Sequence, residues 1–492
     1  MPNHRGGPRS SANPESVPLH TACVRWSGWL VLGAVALAPL PLGSVSAPAM
    51  AIWAVVLGVA LLGLLTLRPR RGSLIVLALA CTLALACLVV LYAQLAVAPS
   101  LSVVPDPIWA QASRLLGEHL SPSVAIARNQ AFYAMGLGIN SFLAFTTALL
   151  LAADRRAARQ LLTVVAWSGA IYAVAAIASH LADPGKIFFV YEKQAHRESL
   201  TSPFLNRNTA ALYYGCCALV WLMRACERIQ HKLPSGRLRW RRLRASFDTR
   251  SSRPILTATA GWLICLIAMF LTGSRAGAGA ALISMIIAVA AFFHRRITGR
   301  FGFAGFLMAA SVAALGLLQL FGGLVGGRFN AQGLSDEGRL STYRATVGII
   351  RDHPWLGTGF GSFEMSYPAY RGNDISLAGI WNRAHNSLLE LASSGGLPLA
   401  GLITVAGFAA FTVLLYGIRM RRRNVIFPVI AFAGVIAAVI HSMVDFSLQI
   451  PGYAIVIYSL FGAGLCQSFR SGEVPQGAAV PERVSSALNL KV

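Results

Sequence analysis

Residues 255–293 read ILTATAGWLICLIAMFLTGSRAGAGAALISMIIAVAAFF, two apolar runs (255–272 and 277–293) joined by the turn Leu271-Thr272-Gly273-Ser274-Arg275-Ala276-Gly277. A helix crossing a hydrocarbon core of ~30 Å needs roughly 20 predominantly apolar residues, with about 17 to 25 tolerated. Each run satisfies that length, so the stretch is a membrane hairpin. Basic sequence flanks it on both sides, at 224–254 and 294–300, while its turn carries one arginine. The same pattern extends in both directions. Further candidate spans lie at 27–43, 49–67, 74–98, 130–152, 160–181, 209–226, 301–325, 397–418, 425–443 and 451–468, about twelve in all. The expected fold is an all-α, polytopic integral membrane protein with a large loop (326–396) between the ninth and tenth spans. A composition of 55% hydrophobic and 12% charged residues fits that class, since soluble domains carry about twice that charge.

Charge sets the expected orientation. One alternate set of connecting segments (1–25, 68–73, 153–159, 224–254, 294–300, 419–424 and 469–492) holds 29 of the 42 Lys and Arg but 6 of the 18 Asp and Glu. The other set is nearly neutral. Cytoplasmic loops retain excess Lys and Arg, so the first set reads as cytoplasmic, with a tail at 1–26, a membrane domain at 27–468 and a second tail at 469–492. The net charge of +24 is then a topology signal and not a nucleic-acid footprint. The first span follows a basic, Pro-rich leader and precedes Ser44-Val45-Ser46-Ala47, so a cleaved signal peptide is the alternative there; cleavage leaves the later topology unchanged. None of the eight cysteines lies in a long outer loop and no Cys-x-x-Cys occurs, which argues against disulfides and Cys-ligated zinc. The basic stretch Arg237 to Arg253 is a topogenic loop, or a site for anionic headgroups of the membrane lipids.

Three outer segments are long: 99–129, 182–208 and 326–396. In the first, Ile108, Trp109, Ala112, Leu115, Leu116 and His119 recur at helical spacing, predicting an amphipathic surface helix over 107–120. The second ends in Ser202-Pro203-Phe204-Leu205-Asn206-Arg207-Asn208 directly before a span. Arg207 and the asparagines therefore sit at a helix entrance, where free backbone N–H groups hold anions. The structural alternative is an Asn cap with an arginine reaching to the interface. In the 271–277 turn, Arg275 stands close to hydrocarbon among small residues. Such a cation is costly unless it is paired or faces a polar cavity, which makes it a ligand candidate.

The third segment is the richest. Residues 338–353 predict an outer amphipathic helix with Leu340, Tyr343, Val347 and Ile350 on one face and Arg344 and Arg351 on another. Pro354-Trp355-Leu356-Gly357-Thr358-Gly359-Phe360-Gly361 follows, a turn that offers amides to a phosphate but lacks the flanking strand of a dinucleotide fingerprint. In Arg383-Ala384-His385-Asn386-Ser387-Leu388-Leu389-Glu390, Asn386 or Ser387 can cap a short helix with Glu390 at the reciprocal position. His385 then stands at a helix N-terminus whose dipole keeps the imidazole neutral, fit to act as a base; a packing role is the alternative. The hairpin His441-Ser442-Met443-Val444-Asp445-Phe446 contributes a carboxylate able to orient a histidine or hold an arginine. No outward Asp-x-Asp, His-Glu-x-x-His or multi-His pattern occurs, so the sequence implies neither a metal nor a cofactor.

Together these motifs resemble the O-antigen ligase and O-antigen polymerase superfamily of bacterial inner-membrane glycosyltransferases. The resemblance covers 130–468 and rests on Phe204 to Asn208, Leu271 to Gly277, Arg339 to Tyr370, His385 to Glu390 and the His441 to Pro451 hairpin. It implies metal-independent, inverting transfer of a glycan from an undecaprenyl-diphosphate carrier at the periplasmic face, as in lipopolysaccharide biosynthesis. By the same resemblance Arg275 and Arg207 hold the diphosphate, Arg339 or Arg344 assists and His385 is the general base. Arg383, Asn386, Asp445 and His441 support them. The acceptor is lipid A-core for a ligase, or another lipid-linked glycan for a polymerase of O-antigen or exopolysaccharide. An O-linked protein glycosyltransferase and a lipid-linked glycan transporter are the remaining readings. Against transport, the ionisable candidates cluster at the outer surface and no halves repeat.

Overall fold

The computed structural model describes residues 19–67, 69, 71–97, 104–232, 249–296, scattered positions between 304 and 319, 337–372 and 381–469. In chain order the helices are α1 (Leu19–Leu37), α2 (Ala47–Leu64), α3 (Arg71–Leu95), α4 (Ile108–Leu116), α5 (Gln130–Leu151), α6 (Arg155–Ala182), α7 (Arg207–Lys232), α8 (Thr249–Leu271) and α9 (Arg275–Phe293). They continue with α10 (Glu337–Asp352), α11 (Phe363–Ser366), α12 (Ser387–Gly395), α13 (Leu397–Met420), α14 (Ile426–Ser442) and α15 (Pro451–Ser468). Between α6 and α7, β1 (Lys186–Ile187) pairs antiparallel with β2 (Tyr191–Glu192), Lys186 opposite Glu192. Among the described residues eight helices are long and apolar enough to cross a membrane, and Ala22–Leu37 and Ile426–Ser442 are shorter apolar helices. The chain is an all-α polytopic membrane protein. The ninth expected span, 301–325, lies largely outside the described residues, as do the basic stretch 237–248 and the tail beyond 469.

Helix ends overrun the apolar runs where capping, and not lipid, decides them. The first helix begins at Leu19, inside the segment read as a tail, because helical hydrogen bonding tolerates the polar residues before Trp26. The sixth begins where Asp154 accepts from the amides of Arg156 and Ala157, five residues ahead of the apolar run. The surface helix is shorter than predicted: α4 stops at Leu116 because Gly117 takes φ +67° and ends it with a left-handed residue.

Two helices are buried almost all round and carry the rest of the bundle: α7 and α15. Lipid supplies no hydrophobic drive between helices, so close packing through small residues does the work. A Cβ on Gly462 of α15 would lie 2.4 Å from Phe145 O of α5, and one on Gly464 2.1 Å from Ala431 Cβ of α14. On α7, Gly215 faces Ala281 of α9, while Cys217 and Trp221 meet Gly169 of α6 and Gly261 of α8.

The loops sort into two ends. At one, Arg159 bonds Glu227 (3.0 and 3.1 Å) and Asn424 (2.9 Å), Arg295 donates to Arg419 O and Arg421 to Phe469 O. These contacts gather five segments of the Lys- and Arg-rich set. At the other end, Leu200 N donates to Leu271 O (3.0 Å) and the Tyr343 hydroxyl reaches Met443 O (3.0 Å). That end gathers the loops holding the candidate site residues.

Candidate active site

The segments meet around Asp445, 1% exposed in the turn after α14. Its Oδ1 accepts from the Phe446 amide (2.8 Å) and the Ser447 hydroxyl (3.3 Å), and its Oδ2 accepts from the Asn208 amide group. Asn208 in turn accepts at Oδ1 from the Ser274 hydroxyl (2.8 Å), and Ser274 caps α9 by accepting from Gly277 N (3.2 Å). A Cβ on Gly277 would meet Ala211 Cβ at 2.6 Å, so the α7 and α9 N-termini lie side by side. Arg207 and Arg275 are the first residues of those two helices, both half-buried. The aligned dipoles of two adjacent N-termini, each opening with a guanidinium, make one positive region.

His385 reaches the same cluster from the large loop. Asn386 caps α12, its Oδ1 accepting from Leu388 N and Leu389 N (both 3.1 Å), while its amide donates to Met443 O (3.2 Å). The Ser387 hydroxyl donates to Asp445 O at 3.4 Å. His385 precedes this cap with φ +53°, and the Tyr343 hydroxyl lies 3.1 Å from its carbonyl. A non-glycine residue in the left-handed region costs of order 1–3 kcal/mol, and such positions cluster at functional sites. The imidazole stands between Trp381 (ring centroids 5.4 Å) and Phe446 (5.2 Å), both edge-on.

Other candidates take different places. Arg383 pairs with Glu390 (3.1 Å), whose other oxygen accepts from Ala384 N (2.8 Å). Glu390 therefore skips the reciprocal capping position at Asn386 and fixes the backbone before His385. His441 is 1% exposed at the C-terminal end of α14, and Arg339 is half-buried in the first turn of α10. Arg344 is exposed, as is Arg351. The buried face of α10 is Ser341, Thr342, Ala345, Thr346, Ile349 and Ile350, not the expected face through Leu340, which is 46% exposed. Ala345 and Ile349 pack with Phe363, Tyr367 and Ala384, and the Thr342 hydroxyl lies 3.2 Å from Tyr367 OH on the same face. Asp445 holds the Asn208 amide where the sequence suggested a histidine or an arginine.

The Gly-rich turn is not a phosphate cradle. Thr358 N and Gly359 N donate to Ser393 O (2.9 Å) and Ser394 O (3.2 Å), and Phe360 N donates to Gln94 Oε1 (3.1 Å). A Cβ on Gly357, Gly359 or Gly361 would strike Ser393 O, Ala125 Cβ or Gln130 O at 2.5 to 2.9 Å. The glycines let protein backbone approach, and the amides are already spent. Gln94, buried in α3, also donates to Leu356 O (2.6 Å) and Ser394 O (2.8 Å), so it pins the loop to the bundle. Sequence reading passed over Gln94 and Ser274; a glutamine inside an apolar run was the available signal for the first.

Residues 260–404 match the family model described as O-Antigen ligase. That segment is similar to the domain that defines the O-antigen ligase superfamily. The O-antigen ligase match contains Arg275, Arg339, Arg344, Arg383, His385 and Asn386, whereas Arg207, Asn208, His441 and Asp445 reach the cluster from outside it. No curated protein matches the chain. The similarity supports, in general terms, a glycosyltransferase-like function of the O-antigen ligase or polymerase type.

Proposed function

We propose that the protein transfers a glycan from an undecaprenyl-diphosphate carrier to lipid A-core at the periplasmic face of the bacterial inner membrane. The supporting observation is the convergence on Asp445 of the Arg207 and Arg275 helix entrances and the His385 turn. The excess of Lys and Arg at the opposite end of the bundle favours a cytoplasmic position for that end and for both termini.

In this reading an acceptor hydroxyl attacks the anomeric carbon while undecaprenyl diphosphate leaves. One displacement inverts the anomeric configuration. His385 takes the hydroxyl proton, and a neutral imidazole ahead of a helix N-terminus suits that task. Negative charge grows on the leaving diphosphate, where Arg275 and Arg207 bind its oxygens with the amides of their own helices. Arginine stays protonated at any working pH, so the guanidiniums supply the charge a metal would otherwise bring. Arg339 assists from α10 ahead of the exposed Arg344, while Arg383, Asn386, Asp445 and His441 hold the loop and helix ends in register.

The test is reconstitution of purified protein with an undecaprenyl-diphosphate-linked oligosaccharide, with and without lipid A-core, resolving products by size and anchor. Glycan on lipid A-core is the expected result. A ladder of longer glycans still on the carrier would make the enzyme a polymerase instead.

A further inference from the structure

Residues 183–202 form a unit with two unlike surfaces. At its tip β1 and β2 are joined through Phe188, Phe189 and Val190, with φ +45° and +68° at the two phenylalanines. Consecutive bulky residues in the left-handed region persist only where their surroundings over-determine them. Here Phe189 N donates to Ser179 Oγ (2.9 Å), Phe188 N to Ser202 Oγ (3.3 Å), and the Phe188 ring packs on Tyr172 (centroids 6.2 Å). The surface this holds outward is apolar, with Phe189 51%, Val190 85% and Tyr191 38% exposed. At its base the unit opens a cavity of about 410 Å³ lined by His196, Arg197, Glu198, Ser199 and Arg207. Lys193 ties the two parts together. Its ammonium, buried, donates to Pro184 O (2.7 Å) and Ser199 O (2.8 Å), its amide donates to Gly185 O (2.8 Å), and Arg197 Nε donates to Lys193 O (3.1 Å).

We propose that this unit docks the carrier lipid, with a phosphate of its headgroup in the cavity and the adjoining stretch of hydrocarbon chain across the Phe189 to Tyr191 tip. The inference rests on the transferase reading above. Two guanidiniums against one carboxylate leave the cavity positive, and guanidinium forks suit phosphate oxygens. A cationic cavity alone fits any phosphate, and an apolar tip alone fits any bilayer. Held at fixed spacing by one buried lysine, the pair fits a single molecule that is anionic at one end and hydrocarbon beyond it. Arg207 is common to the cavity and to the Asn208 junction, so a headgroup held here lies beside the α7 and α9 entrances.

Photo-crosslinking tests this without turnover. Full-length protein bearing benzoylphenylalanine at position 190 is placed in phosphatidylcholine nanodiscs containing a small fraction of undecaprenyl phosphate, with neither glycan nor acceptor. The carrier should be enriched in the adduct about tenfold over its mole fraction, the factor expected when one Val-sized contact discriminates between lipids. Arg197→Ala should abolish the enrichment and Arg197→Lys should keep part of it. Adducts that follow lipid abundance and ignore Arg197→Ala would overturn the proposal, since the tip would then lie in bulk lipid. Val190→Ser gives a second readout: the kcat/KM ratio of an undecaprenyl-linked over a short-chain prenyl-linked donor should fall about tenfold. Equal loss on both donors would also overturn it. Enrichment in a protein that transfers no glycan would reject the transferase reading and keep the docking unit, whereas transfer without enrichment would do the reverse.

Discussion

Asn208→Leu should separate a cluster that Asp445 organises from one merely assembled near it. The substitution keeps the volume of the side chain and removes its donor to Asp445 Oδ2 and its acceptor for Ser274. A hydrogen bond to a charged group contributes about 1.5–3 kcal/mol and a neutral one about 1 kcal/mol, so the expected loss is about 3 kcal/mol. Asp445 keeps two acceptor contacts, to Phe446 N and Ser447, which prevents a larger figure. Asp445→Asn should cost under about 1 kcal/mol. Asn208 can turn its amide over, accept from the new amide and donate to Ser274 Oγ. The double variant Asn208→Leu with Asp445→Leu should recover part of the loss, because no buried carboxylate is left short of a donor. The assay is equilibrium unfolding in mixed micelles followed by tryptophan fluorescence, read as a double-mutant cycle. A coupling below about 0.5 kcal/mol would mean that Asp445 does not organise the cluster, since sites without shared partners add within that margin.

Four further outcomes are expected. His385→Ala and His385→Gly should both lose at least about a hundredfold in turnover while still binding the lipid donor; the glycine variant tolerates φ +53°, so retained activity there alone would assign His385 a backbone role. Arg275→Lys should lower kcat about tenfold or more through the lost bidentate contact, whereas Arg344→Ala, on the exposed face of α10, should stay within about threefold; equal effects would move the donor site along the loop. Gly396→Ala should destabilise by several kcal/mol or abolish accumulation of folded protein, because its Cβ would lie 2.1 Å from Trp355 O at a φ of +85°; a wild-type melting profile would show that the loop can be repacked. Burial and the bond to Asp352 (2.7 Å) push the Tyr370 hydroxyl up to about 12. The folded state then keeps its proton longer, so this contact stabilises below pH ~10 and is lost as pH rises toward about 12. Comparing Tyr370→Phe with wild type across that window checks it, and parallel curves would contradict it.

Much of the membrane architecture could be read from the sequence because it follows from one solvent property. Among the described residues, apolar runs long enough to span coincide with helices from Ala47–Leu64 through Pro451–Ser468, whereas the first run, 27–43, leaves its helix at Leu37 and continues as turns. What composition missed were the helix ends, which depend on caps such as Asp154 and Ser274 and on stops such as Gly117. Within the site, short-range features were legible: Asn386 caps a helix and His385 precedes it, as four consecutive residues suggest. Long-range pairings were not. Asn208 meets Asp445 across 237 positions, and Gln94 meets Leu356 across 262. No periodicity encodes which loop amide a buried side chain will reach. The Gly-rich turn misled for the same reason, since its open amides are open only until the backbone of 393–394 and Gln94 are placed against them.

In the proposed reaction the Asp445 cluster breaks a glycan–diphosphate bond and makes a new glycosidic one. Proteoliposomes holding a labelled undecaprenyl-diphosphate glycan and lipid A-core allow one stoichiometry to be measured: carrier diphosphate released against glycan transferred. One release per transfer, abolished by His385→Ala, is the predicted result. Donor that crosses the bilayer with its diphosphate bond intact, in wild type and His385→Ala alike, would rule out transfer and make the protein a transporter.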